Sequence, residues 1–371
     1  MELTSAQREA KARFEAFTDA EVQPIVDRCE KAEEMCLKLI RRLAEEGYFG
    51  LTLPQAYGGQ GADMVTYALL HRQIGLVWTS LRNLLTVHTM VAHAICRWGT
   101  DVLKNLLLPG FASGERFAAF CLTEPMAGSD ATMIQSTAVR VDGGFQISGE
   151  KRWITGGEIA STYLVLARSE NGISAFVVDR ETPGLTVRQV RGILGSRASM
   201  LADLSFRDCF VPSERVVGAM GAGFSGIGNT VLDLGRFSVA CGCAGMAAAC
   251  LNTSLQYASA RVQFGALVRE HQLVQQMLTR CAVNAHAAWL LCYEAALLRD
   301  ARHPDVIAKT AMAKYFASRA AMSNASDAVQ IHGANGCSEA FPVSRFYRDA
   351  KIMEIIEGST QILESLIARM L

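Results

Sequence analysis

Tyr347-Arg348-Asp349-Ala350-Lys351-Ile352-Met353-Glu354-Ile355-Ile356-Glu357-Gly358-Ser359-Thr360-Gln361 is the stretch that decides how this chain is read. It reads as a helix with Asp349 at a cap position and a stop at Gly358. A second helix restarts at Ser359, with Ile362, Leu363, Leu366, Ile367 and Met370 as its apolar stripe. Glu357 falls at the break. The carbonyl end of a helix disfavours negative charge by about 0.3–1 kcal/mol. With apolar Ile355 and Ile356 beside it, the Glu357 carboxyl is expected to titrate high, as a general base near neutral pH requires. The competing reading is a solvated glutamate before a C-cap glycine, and Glu354, one turn earlier, keeps that reading.

Working outward, 371 residues with 50% hydrophobic content are enough for a large core and two or three subdomains. The 36 basic and 36 acidic residues balance, with no run of Lys or Arg, so nucleic-acid binding has no electrostatic support. Eleven cysteines are scattered, apart from Cys241-Gly-Cys243, and read as buried reduced thiols. His71, His88 and His93 have no second ligand at a metal spacing, and no metal site is expected. Met-Glu-Leu-Thr-Ser-Ala-Gln-Arg at the start lacks the apolar core of a signal peptide, and the apolar run 237–251 is short for a bilayer span. The expectation is a cytoplasmic protein without membrane insertion.

Periodicity divides the chain in three. Residues 5–47 and 64–108 carry helical spacing, broken by Pro54-Gln55-Ala56-Tyr57-Gly58-Gly59-Gln60-Gly61. Residues 117–123, 134–141, 162–168, 173–179 and 201–211 alternate as strands between turn signals such as Asp142-Gly143-Gly144, which fits a small barrel or sandwich. From residue 226 three long helical segments follow, with Pro304 in the first turn of the third, which fits a bundle. The expected domains are 1–116, 117–222 and 223–371.

Two stretches of the middle third are too particular for packing alone. Phe120-Cys121-Leu122-Thr123-Glu124-Pro125-Met126-Ala127-Gly128-Ser129-Asp130 runs a strand into a turn offering backbone N–H groups and the hydroxyls of Thr123 and Ser129. Lys151-Arg152-Trp153-Ile154-Thr155 sets an indole beside a hydroxyl, apt for a flat heterocycle, although a strand Trp also serves as core. No Gly-x-Gly-x-x-Gly follows a strand to open a helix, and Gly221-Ala222-Gly223 lacks both the context and the third glycine.

Taken together, these stretches resemble the acyl-CoA dehydrogenase family across essentially the whole chain. The resemblance rests on the Glu357 string, the Pro54 segment, the Thr123-to-Asp130 and Lys151-to-Thr155 motifs, Arg261-Val262-Gln263-Phe264-Gly265 with His271-Gln272, and Gln330-Ile331-His332-Gly333-Ala334-Asn335-Gly336. Ala334 stands where the family pattern has a glycine.

The resemblance implies an α+β fold of that family, with an N-terminal α-helical domain, a central β-barrel and a C-terminal four-helix bundle. It also implies FAD. Flavin contacts are carried over to Phe120, Leu122, Thr123, Ser129, Trp153, Ile154, Thr155, Ser359 and Gln361. Arg261, Phe264, Gln272, Gln330, Gly333 and Ala334 are carried over to the FAD of a neighbouring subunit, where an Arg fork suits the pyrophosphate. Ser129, Asp233, Arg236 and Gly358 are carried over to the substrate, and Glu357 to the base. Some relatives place the catalytic carboxylate at the position of Gly235, which glycine cannot serve.

The implied reaction is oxidation of an acyl thioester, with Glu357 removing the α-proton and the flavin taking hydride from the β-carbon. The wording around Met353 to Ser359 is similar to members from polyketide extender-unit pathways, which oxidise short oxygenated acyl groups on an acyl carrier protein. A short-chain acyl-CoA dehydrogenase, a flavin oxidase or monooxygenase, and a silent acyl-carrier binding protein are the other readings. The implied acceptor is an electron-transfer flavoprotein or oxygen, and the implied assembly a homodimer or homotetramer.

Overall fold

The computed structural model describes residues 2–371. Six helices come first: α1 (Ser5–Phe17), α2 (Val26–Ala32), α3 (Leu37–Glu45), α4 (Met64–Val77), α5 (Thr79–Trp98) and α6 (Asp101–Ala112). Thr4 opens α1 through a capping box with Gln7, each side chain taking the other's orphan N–H. Helical spacing over 5–47 conceals two breaks. Pro24 sits in a short 3-10 turn, and Glu33 ends α2 in the left-handed region at φ 56°. The region from Met64 to Trp98 also divides, because Trp78 is extended at φ −155° and ψ 110° between α4 and α5. Its indole donates to Glu30 Oε1 at 2.7 Å, which fixes where α5 begins.

The middle part holds β1 (Ala118–Cys121), β2 (Thr137–Val141), β3 (Gly144–Ile154), β4 (Thr162–Ser169), β5 (Gly172–Asp179), β6 (Leu185–Gln189), β7 (Ala202–Pro212) and β8 (Val216–Val217). They form one sheet in the order β6-β7-β3-β2-β4-β5-β8, with β1 parallel to β4. The sheet curls on itself. Phe145 of β3 and Phe176 of β5 are separated by three strand intervals, about 14 Å if flat, yet their ring centroids are 5.2 Å apart. The turn in the sheet falls between β2 and β4, joined by the single pair Thr137 and Arg168. The strand β6, partly exposed along its length, has no strong apolar alternation and is absent from the sequence reading.

The last part contains α7 (Asn229–Ala260), the hairpin β9 (Val262–Gln263) and β10 (Ala266–Leu267), then α8 (Gln272–Asp300), α9 (Val306–His332), α10 (Val343–Met353) and α11 (Thr360–Ala368). Pro304 lies in the turn before α9 and not in its first turn. α7 and α8 are each long and apolar enough to cross a bilayer, longer than the run 237–251 indicates. The apolar part of α7 is core, 83% of it buried. One contiguous apolar core joins the three parts, from Phe14 and Tyr48 through Trp78 and Phe111 to Phe176 and Phe237. The three-part architecture expected from the sequence is the one observed.

Candidate active site

Asp349 does not open a helix. α10 begins at Val343, so Asp349 sits in its middle, buried, accepting from the Thr79 hydroxyl at 2.5 Å and the Ser196 N–H at 2.6 Å. The helix ends at Met353, residues 354–357 form a turn, and the chain reverses through Glu357 at φ 55° and Gly358 at φ 95°. Ser359 then caps α11 by accepting from the Ile362 N–H at 3.4 Å. A left-handed glutamate is strained, and the surroundings hold it there. Arg236 Nε of α7 donates to the Glu357 carbonyl at 3.2 Å, and Lys314 Nζ of α9 to the Gly358 carbonyl at 2.7 Å. Two cations thus grip the backbone of the turn and leave the carboxyl free.

That carboxyl points into the crevice between α5 and α7. Its Oε2 is sealed from solvent and has no hydrogen-bond partner. It lies where α7 carries no side chain: a Cβ on Gly235 would stand 2.5 Å from Glu357 Oε2 and 3.0 Å from Met90 Sδ. Burial pushes the Glu357 pKa up to about 7 against the pull of Arg236, Arg82 and Lys314. The direction is the expected one, and burial is its largest cause, to which Ile356 on the core side of the turn belongs and Ile355 does not. Ile355 is 56% exposed, and Met90 and Gly235 are the neighbours against the carboxyl. A buried acceptor with no donor, titrating near neutrality, is what a proton-abstracting base needs.

The two strand-end motifs meet each other. The Arg152 N–H donates to the Thr123 carbonyl at 2.8 Å, and Lys151 Nζ reaches the Leu122 carbonyl at 3.1 Å and Glu124 Oε1 at 2.7 Å. Glu124 also takes the Ser136 N–H at 3.0 Å, so a buried ion pair fixes the two motifs edge to edge. Around that seam the side chains of Phe120, Leu122 and Ile154 are buried, Thr123 and Thr155 are half-buried, and Ser129 is exposed. The Thr123, Ser129 and Thr155 hydroxyls carry no hydrogen bond among the described residues. Trp153 is 45% exposed at φ 59° with the Arg152 guanidinium 4.9 Å from its ring, a second strained non-glycine residue presented to solvent. Unspent hydroxyls, backbone edges and an exposed indole fit a flavin.

A third group lies elsewhere. Arg261 follows the last residue of α7, Phe264 tips the β9–β10 hairpin at 99% exposure, Gln272 opens α8, and Gln330, Gly333 and Ala334 surround the end of α9. Tyr257 ties this end together, donating to the His332 carbonyl and accepting from Asn335. Lys314, which holds the Glu357 turn, lies sixteen residues before Gln330 on α9, so about 24 Å of helix separates the two regions. Ser359 and Gln361 line a cavity of about 300 Å³ with Arg319, Lys351, Glu354 and Thr360, which does not include Glu357. Asp233 is buried and paired with Arg299 Nη1 at 2.8 Å, its Oδ1 unpartnered.

Several residues of the site went unread in the sequence. Lys314 is a fully buried lysine in an alanine-rich helix, its pKa lowered to about 8 by burial. Arg82 is buried in the first turn of α5, where a helix N-terminus disfavours a cation. Both sit in long helices rich in apolar and small residues, α5 with one further charge and α9 with three, so a charge on the inward face of such a helix was the available signal.

A curled sheet with unspent hydroxyls and an exposed indole, in one chain with a bundle that carries a desolvated carboxylate, fits a flavin-dependent oxidoreductase. Three family models match in order: the acyl-CoA dehydrogenase N-terminal domain over residues 4–115, the middle domain over 119–209 and the C-terminal domain over 221–371. A Bacillus subtilis (strain 168) protein named acyl-CoA dehydrogenase is 36% identical over 377 residues, covering 100% of this chain and 99% of the relative. The butyryl-CoA dehydrogenase of Megasphaera elsdenii superposes with a TM-score of 0.96 at 32% identity over 100% of this chain and 99% of that one. A Mycobacterium smegmatis glutaryl-CoA dehydrogenase in complex with FADH2 gives 0.94 at 25% identity, over 99% of this chain and 95% of that one. The chain belongs to the acyl-CoA dehydrogenase family. It is an FAD-dependent oxidoreductase acting on an acyl thioester.

Proposed function

We propose that the chain oxidises a short, oxygen-bearing acyl group carried on an acyl carrier protein, a step of polyketide extender-unit formation. Glu357 takes the proton, either from the α-carbon or from the hydroxyl of an aldehyde hydrate at the third carbon. The observation that carries this reading is the Glu357 carboxyl, whose Oε2 is sealed from solvent and unpartnered. Bound FAD would supply the hydride acceptor. Phe120, Leu122, Thr123, Ser129, Trp153, Ile154 and Thr155 would hold its ring system, with Ser359 and Gln361 nearby, and Arg236 and Lys314 keep Glu357 facing the substrate. Gly358 and Ser129 would line the thioester. Reduced flavin would pass its electrons to an electron-transfer flavoprotein or oxygen, in the cytoplasm.

The assembly in this reading is a homodimer or homotetramer. Gln330, Gly333 and Ala334 lie about 24 Å of helix away from Lys314 and the Glu357 turn, grouped with Arg261, Phe264 and Gln272, which supports service to a neighbour's FAD. The exposed apolar stripe Val283, Leu290 and Leu297 on α8 supports a covered face. Arg261→Ala is expected to give largely apo protein, and full FAD retention refutes its phosphate role.

A second reading, oxidation of a short acyl-CoA to a 2-enoyl-CoA, uses the same residues and is supported by the likeness to butyryl-CoA dehydrogenase. Anaerobic bleaching of the holoenzyme separates the two. Bleaching only by a three-carbon oxygenated acyl group on a carrier protein supports the first reading, and bleaching by butyryl-CoA supports the second.

A further inference from the structure

α5 carries two formal charges, Arg82 in its first turn and Arg97 in its last. Arg82 is 1% exposed, opposed by both burial and the helix dipole. Its Nη1 donates to Thr86 Oγ1 at 3.0 Å and Ser238 Oγ at 3.1 Å, and its Nη2 to Asn83 Oδ1, with Met353 Sδ at 3.5 Å. Its Nε has no partner, and no carboxylate hydrogen-bonds any of the three nitrogens. The groups around it do not neutralise it. His71, on the far side of Ser238, is held uncharged by burial, Cys243 is kept a thiol, and the nearby Tyr67 hydroxyl is also unpartnered. Of the groups whose charge would reach it, Cys243 and Tyr67 come first, and Glu357 is the carboxylate among them.

α7 is shaped to admit this cation. Gly235, Ser238 and Gly242 succeed one another along its α5-facing side. Gly235 makes room for the Glu357 carboxyl, Ser238 meets the guanidinium, and a Cβ on Gly242 would stand 2.2 Å from Arg82 Cδ. Gly235 and Ser238 are three residues apart, so about 4.5 Å of helix rise separates the level of the base from the level of the guanidinium. That is the reach of an oxygen on the third carbon of an acyl group plus one hydrogen bond.

We propose that Arg82 is a specificity-determining residue beside Glu357 in the crevice between α5 and α7, taking a carboxylate or hydrated aldehyde on the third carbon of a short acyl thioester. This deepens the proposed function and rests on its assignment of Glu357 as the base. A saturated alkyl end would leave the buried guanidinium unmatched, and sites built to hydrogen-bond a polar group reject analogues that lack it.

The test is equilibrium binding to the holoenzyme, read from the flavin spectrum. The probes are malonyl-pantetheine and its neutral methyl ester, neither of which has a β-hydrogen to lose. The expected result is that the wild type prefers the malonyl thioester by about tenfold or more, that Arg82→Met abolishes the preference, and that Arg82→Lys retains part of it. An unbranched apolar replacement for a buried charge is tolerated in many folds, and flavin retention reports that the variants are folded. Equal binding of the two probes to the wild type, or an undiminished preference in flavin-loaded Arg82→Met, overturns the assignment. If Arg82→Met loses flavin, the wild-type preference and the Arg82→Lys value decide it. The readout is separate from turnover: bleaching by butyryl-CoA alone, with an Arg82-dependent malonyl preference intact, refutes the carrier-bound reaction and leaves the role of Arg82 standing.

Discussion

Asp349 and Glu357 stand eight residues apart around the end of α10, both acids, and both raised in pKa by burial, to about 6 and about 7. Their surroundings differ. Both Asp349 oxygens have donors, a hydroxyl from α5 and an N–H from the loop before β7, so this carboxyl staples three distant segments together. Nearby Glu30 does the same, accepting from Trp78, Ser80, Arg197 and Ala198. Glu357 Oε2 has no donor and lies against bare helix backbone. An elevated pKa therefore does not separate a base from a structural acid. The inventory of hydrogen bonds does.

The largest test of this contrast is Glu357→Gln. It removes the base without changing the volume in the crevice, and turnover is expected to fall by about 10³–10⁴-fold while flavin is retained. Near-native turnover in flavin-loaded protein would take Glu357 out of the reaction. Next comes Gly235→Ala. The added methyl would overlap Oε2, so the carboxyl must swing away from its present line of attack. A loss of about 100-fold in kcat is expected, with flavin content unchanged. An unaffected kcat would show that the carboxyl has room to spare.

The sequence contained the three-part division and the Glu357 turn because both depend on local signals: a change of period near residue 117 and a glycine after an apolar helix end. Asp349 was misread for the same reason. A polar residue near the apparent start of a helix is a cap by local rules, and its real partners, Thr79 and Ser196, are 270 and 153 residues away. Arg82 and Lys314 were passed over because a few scattered charges in a helix, Arg97 with Arg82 and Lys309, Arg319 and Asp327 with Lys314, do not say which one faces inward, and only packing shows that these two are buried. The break at Trp78 was equally hidden, since the signal that sets it is the carboxylate of Glu30 from another helix.

Asp349→Asn probes the other half of the comparison. The amide oxygen can keep the Ser196 N–H and its NH2 can donate to the Thr79 oxygen, but the buried Thr79 O–H then loses the acceptor it has now. A stability loss of about 1–3 kcal/mol is expected in urea denaturation, with kcat per flavin unchanged. A fall in kcat without a loss of stability would make Asp349 part of the catalytic apparatus.

The pH profile gives the smallest effect and separates the two acids most finely. A base must be ionised to accept a proton, so kcat/KM should rise with pH and level off above about 7, falling about tenfold for each unit below. Stability should run the other way. Both carboxyls titrate higher in the folded chain than at their ordinary values of 4.5 for Glu357 and 3.8 for Asp349, so the native state binds more protons across that window. Their contribution is full below the ordinary values and is lost as pH rises toward 7. Glu357→Gln should flatten the stability profile between about 4.5 and 7, and Asp349→Asn between about 3.8 and 6, while leaving the midpoint of the activity profile in place. If Asp349→Asn moves that midpoint instead, the two acids are coupled through α10, and the division between a stapling acid and a reacting one fails.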